Sequence, residues 1–206
     1  MNSYFTVENE TYTEYEVKRS RFIGYIKPVK TKQEAEDFIA FVSKKHWDAR
    51  HNVFAYKIRE DSFKRYSDDG EPQGTAGVPV LDVIEKNGLT DVCIVVTRYF
   101  GGILLGGGGL VRAYSHTASI AVEEAKKIEM KLCSVFDLKC DYSFYGKVNS
   151  LFEDAHAVIE ECEFLDEVNI KGYVPSEKFE NLNSKIVESS AGTYKITETD
   201  KKYAKV

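Results

Sequence analysis

Six glycines fall within nine residues, Gly101, Gly102, Gly106, Gly107, Gly108 and Gly109, soon after the unbroken apolar run Val92-Cys93-Ile94-Val95-Val96. A continuous apolar run of this length is the pattern of a strand buried on both faces, so Asp91–Phe100 is predicted as a central strand. Beyond the glycines, Leu110 to Lys127 is predicted as a long helix. Val111, Tyr114, Ala118, Val122 and Ala125 gather on one face, and Arg112, His116, Ser119 and Glu123 form a polar stripe. Glycines at such a junction let the backbone turn sharply and let another group approach closely.

The rest of the first half alternates strand and helix signals. Tyr12–Val17, Phe22–Val29 and His51–Ile58 read as strands, and 32–45 as a helix behind a Thr31 cap. A polar turn is expected at Ser67–Gly70, then a helix over 78–87 with Pro79 in its first turn and Gly88 just past its end. From residue 135 a second pattern begins. Strands at 135–142, 157–164, 167–174 and 193–199 enclose helices at 144–155 and after Pro175-Ser176, which is the β-α-β-β-α-β order of a ferredoxin-like domain. The expected organisation is α+β in two domains, 1–131 and 135–206, joined by a short linker near 129–134.

Charge narrows the function classes. The net charge is −5; residues 1–134 balance 19 basic against 19 acidic side chains, and residues 135–206 hold 9 against 14. A general nucleic-acid binder carries a basic face or a high pI, so any RNA contact here is expected to be local. The longest apolar runs fall far short of a membrane span, and the N-terminus carries no basic and apolar leader pattern, so a cytoplasmic protein without membrane contact is expected. Cys93, Cys133, Cys140 and Cys162 are too widely spaced for a zinc site or a disulfide framework and are read as buried thiols.

Two segments hold the candidate chemistry. Arg98 before the glycine loop, with Arg112 and His116 one helical turn apart after it, could hold a phosphate at a helix start that offers free N–H groups. No Gly-Lys-Ser/Thr ending or spaced dinucleotide fingerprint accompanies them, and on spacing alone the glycines are better read as permitting tight chain packing. The other segment is Tyr66-Ser67-Asp68-Asp69-Gly70-Glu71-Pro72-Gln73-Gly74-Thr75-Ala76-Gly77. Asp68, Asp69 and Glu71 could bind Mg²⁺, but turn chemistry explains them without a metal and is preferred. Gly74 to Gly77 precede a helix and offer a second anion-accepting N-terminus, in competition with simple capping. None of His46, His51, His116 and His156 has a metal-type partner, and Ser67 has no identifiable base. No catalytic residue, metal or cofactor is therefore expected.

Taken together, Tyr66 through Pro72, Gly74-Thr75-Ala76-Gly77 with Pro79, Val96-Thr97-Arg98-Tyr99-Phe100-Gly101-Gly102, and Gly106 through Gly109-Leu110-Val111-Arg112-Ala113-Tyr114 resemble the YigZ/IMPACT family. The resemblance covers the first domain, and the tail is similar to the C-terminal domain of bacterial members. It implies a first domain with the ribosomal-protein-S5 domain 2-like fold and a second like the last domain of elongation factor G. The eukaryotic member is a translational regulator that restrains an amino-acid-starvation kinase pathway. Its N-terminal partner-binding domain has no counterpart in these residues, so the kinase-pathway role is not carried over. The family's usual Gly-Gly-Ile-Lys-Leu-Gly is Gly101-Gly102-Ile103-Leu104-Leu105-Gly106 here, without the lysine. The expectation is a non-catalytic, translation-associated protein that meets the ribosome, RNA or a translation factor through the loop surface. The alternative is an enzyme acting on a phosphorylated or nucleotide ligand.

Overall fold

The computed structural model describes residues 2–206, apart from the side chain of residue 61. The chain divides into two units, Phe5–Ile128, and the first residues through Tyr4 together with Glu129–Val206. It enters through β1 (Ser3–Val7), which was not expected from the sequence.

In the N-terminal unit, β2 (Thr11–Val17) and β3 (Ser20–Pro28) form a hairpin, followed by α1 (Lys32–Lys45), β4 (His51–Ile58) and β5 (Phe63–Ser67). Then come α2 (Gly77–Lys86), β6 (Val92–Tyr99) and α3 (Gly107–Ala125). The sheet runs β2-β3-β6-β4-β5 with every neighbouring pair antiparallel, so β6 is central as its apolar run predicts. Alternation along β6 supplies two cores. Val92, Ile94 and Val96 pack with α2 and α3, while Cys93 and Val95 pack with Phe38 and Val42 of α1. Thr31 caps α1 as expected, its hydroxyl accepting the Glu34 N–H at 3.2 Å.

The helix after the loop starts three residues earlier than the periodicity predicts, at Gly107. Glycine disfavours helix, so the pattern stopped at Leu110; the Leu110 N–H to Gly106 carbonyl bond at 2.9 Å closes the extra turn.

The C-terminal unit carries β7 (Lys127–Cys140), α4 (Tyr142–Ala155), β8 (Val158–Phe164), β9 (Val168–Pro175), α5 (Ser176–Ser189) and β10 (Thr197–Ala204). The order β8-β9-β7-β10, antiparallel throughout, is that of the split β-α-β-β-α-β motif, and β1 also pairs with β7. Phe136, Leu138, Val148, Phe152, Ile170, Leu182 and Ile186 form its core. Residues 129–134, expected as a linker, are part of β7, whose charged and apolar residues alternate from Lys127 to Leu132 as in a half-buried strand. The last strand lies at 197–204 and not at 193–199, because its polar, exposed residues carry no apolar alternation. None of the four cysteines is paired; three are buried, whereas Cys162 is only half-buried. Among the described residues, no helix is long and apolar enough to cross a membrane.

Candidate functional site

The acidic turn after β5 is spent inward. Asp68 accepts the backbone N–H groups of Gly74, Ala76 and Gly77 at 2.9, 3.1 and 2.8 Å, so a side chain of this protein occupies the anion position at the start of α2. Asp69 takes the Asn52 N–H at 2.6 Å, and its own carbonyl lies 2.6 Å from Nδ1 of His51. Glu71 is buried and accepts from Arg98 Nη1 at 2.6 Å and from the Tyr114 hydroxyl at 2.8 Å, both on Oε1. Burial and the Glu71 carboxylate together push the Tyr114 phenol up. Ser67 accepts the Asp69 N–H at 3.1 Å and so belongs to the turn. Gly77 explains the tight seam between these segments, since a Cβ there would lie 2.8 Å from the Ser67 carbonyl.

Two of the motif segments therefore meet through Glu71 and Arg98, a pairing that linear spacing conceals. Arg98 is 5% exposed. Its guanidinium lies over two rings, 5.4 Å from the centroid of Phe22 and 5.5 Å from that of Phe100. The other two members of the expected anion cluster sit elsewhere. Arg112 is exposed, with Nη1 3.8 Å from where a Cβ on Gly108 would stand, at the start of α3. His116 packs edge-on against Tyr15 with 4.5 Å between ring centroids.

The glycines divide by role. A Cβ on Gly101 would fall 2.0 Å from the carbonyl of Arg19, so the loop is pressed against the β2–β3 hairpin. The Gly101 N–H also donates to Ser20 Oγ at 3.2 Å. Gly106 precedes α3 at φ +71°, and no side chain among the described residues caps that helix. The hairpin tip is unusual: Val17 pairs with Ser20, so Lys18 and Arg19 alone make the turn, and both lie at positive φ. Such turns normally take Asn-Gly, which is why two exposed cations at this place escaped notice in the sequence.

A cavity of about 440 Å³ opens beside the loop, with Phe100, Leu104, Leu105 and Leu110 as apolar walls and Arg98, Glu71 and His51 as polar ones. His51, which no spacing singled out, is oriented. A carbonyl only accepts, so Nδ1 donates its proton to Asp69, and Nε2 is left 3.8 Å from Glu71 Oε1. A smaller cavity of about 190 Å³, lined by Lys18, Leu105 and Arg112, lies on the β2 side. Among the described residues, no three His, Cys, Asp or Glu side chains converge as metal ligands would.

The fold and these contacts define a two-domain α+β protein in which an acidic turn braces a glycine loop. The Impact N-terminal domain family matches residues 18–122, and the family described as a domain of unknown function (DUF1949) matches residues 138–193. IMPACT family member YvyE of Bacillus subtilis is 39% identical over 98% of this chain and 94% of its own. IMPACT family member YigZ of Escherichia coli is 32% identical over 88% of this chain and 90% of its own. A crystal structure of a hypothetical protein superimposes with a TM-score of 0.63 at 28% identity, covering 97% of this chain and 98% of that one. The chain belongs to the IMPACT family.

Proposed function

We propose that this protein acts by binding, as a regulatory component associated with translation, and that its N-terminal unit contacts RNA through the surface around the glycine loop. One observation carries the reading. Asp68, Asp69 and Glu71 are turned into internal bonds, whereas Lys18, Arg19, Arg50 and Arg112 are exposed around the same loop beside the half-exposed ring of Phe100. Cations interleaved with an aromatic ring are the elements of single-strand recognition, where phosphates supply attraction and a ring supplies a stacking face. On a chain of net charge −5 such a patch gives weak, local binding. Cosedimentation with ribosomal particles should therefore fall steeply with salt, with a log–log slope of about −0.7 per phosphate neutralised. A Lys18→Ala/Arg112→Ala variant should have a shallower slope and weaker binding. Binding that ignores both salt and the substitutions would refute the patch.

The oriented Nε2 of His51 supports a second reading, catalysis on a phosphorylated or nucleotide ligand, with His51 as proton acceptor. Turnover of such a compound that His51→Ala abolishes would replace the first reading with this one.

A further inference from the structure

We infer that the cavity beside the glycine loop receives a single nucleotide unit, an aromatic base with its phosphate; this rests on the RNA reading above and specifies what that RNA would place in the protein. A volume of about 440 Å³ lies within the usual range for small-ligand sites. Its chemistry is divided as a nucleotide is. The Arg98 guanidinium lies within 5.5 Å of the Phe100 centroid and within 5.4 Å of the Phe22 centroid, so cation–π contact with a buried cation holds the Phe100 ring in place. Phe100 nonetheless remains 48% exposed, which leaves ring surface for a base. Sequence-tolerant stacking on an aromatic side chain is how unpaired bases are gripped.

The polar wall fits the edge of a base. Arg98 lines the cavity, is 5% exposed, and its Nε has no acceptor among the described residues, an unmet donor for a ring nitrogen or carbonyl oxygen. Nε2 of His51 can accept from an exocyclic amine or a ring N–H, because Nδ1 is committed to the Asp69 carbonyl. The phosphate falls to the start of α3. Gly106 and Gly107 line the cavity there, no side chain among the described residues caps the helix, and Arg50 lines the same cavity. A Cβ on Gly107 would find its nearest neighbour only at 3.8 Å, so the absence of side chains serves access and not packing at that point. At the start of α2, by contrast, Asp68 already fills the equivalent place.

The unit could come from a free mononucleotide or from a strand, and the test separates the two. The intact protein is titrated with the four nucleoside monophosphates, with inorganic phosphate, and with a short single-stranded oligoribonucleotide, following amide resonances of residues 100–110. A monophosphate should shift Phe100 and Gly106–Gly109 together, while inorganic phosphate shifts the glycines alone. Phe100→Ala should weaken the monophosphate by about tenfold or more, the usual loss when one stack is removed. Phe100→Tyr should restore it, and unchanged thermal unfolding of both variants excludes a folding defect. Binding of monophosphate and strand, both lowered by Phe100→Ala, supports the pocket with RNA as the source. Monophosphate bound there without any strand affinity supports the pocket and overturns the RNA reading. A strand that binds equally well to Phe100→Ala, with monophosphates shifting nothing near the loop, overturns the pocket and leaves the RNA reading standing. No response to either overturns both.

Discussion

Glu71 gathers the Arg98 guanidinium and the Tyr114 hydroxyl on one oxygen, at a site where all three side chains are buried. Removing one partner strands the other charge without water, which typically costs about 3–5 kcal/mol, whereas replacing both by apolar groups is often nearly neutral. Glu71→Ala is thus expected to lower the unfolding free energy by about that amount in urea, and Glu71→Leu/Arg98→Met to recover most of it. A loss below about 1 kcal/mol in the single variant would mean that the pair is not isolated. His46 provides a pH test. Its Nδ1 faces the Tyr99 hydroxyl at 2.8 Å, which itself donates to Asp48, so Nδ1 is the donor and Nε2 accepts from Tyr25 at 2.7 Å. Burial, with the nearby Lys45 charge second, holds the His46 pKa below its ordinary value. The unfolded chain then takes up a proton before the folded one. The contribution of His46 is complete above about pH 6.5 and declines as pH falls from there through the depressed folded value. Urea midpoints measured across that window should fall less in His46→Gln than in the unaltered protein.

At the scale of elements, the glycine loop separates into positions that pack and positions that are open. Gly101→Ala would drive a methyl into the Arg19 carbonyl and should destabilise the N-terminal unit by several kcal/mol or unfold it, since the obstruction is backbone. Gly107→Ala meets only a Thr75 methyl at 3.8 Å and should be neutral to stabilising by up to about 1 kcal/mol, because alanine favours helix. Melting temperatures of the two variants check the contrast; equal losses would show that the loop acts as one packed unit. The strand and helix on either side of this loop were legible because β6 opens with an unbroken apolar run from Val92 to Val96 and α3 is periodic. The turn at Lys18-Arg19 was not, because contact with Gly101 and the strand register hold it at positive φ, and neither leaves a mark on its own residues.

At the scale of the whole molecule, the chain passes between its two units within β7, after Ile128. β10 pairs with β7 from Lys131 to Asp137, and the Asn2 carbonyl accepts the Leu132 N–H at 2.8 Å. We therefore propose that a fragment starting at Lys127 folds cooperatively, whereas one starting at Val135 loses four of the seven β7–β10 partner pairs and melts well below it. Circular dichroism melts of both fragments check this, and identical curves would place the boundary at Val135. The sequence by itself determined the two-domain α+β order and the central place of β6, because apolar periodicity reports burial of the residues that carry it. It also marked the acidic turn and the glycine loop as the distinctive segments. Which charges remained available was a tertiary decision. Arg98 looked free and is spent on Glu71, Asp68 looked like a turn residue and also caps a helix, and His51 looked ordinary and is aimed by the Asp69 carbonyl. A charged side chain's role depends on what the fold places within about 3 Å of it, and those partners lie up to dozens of positions away along the chain.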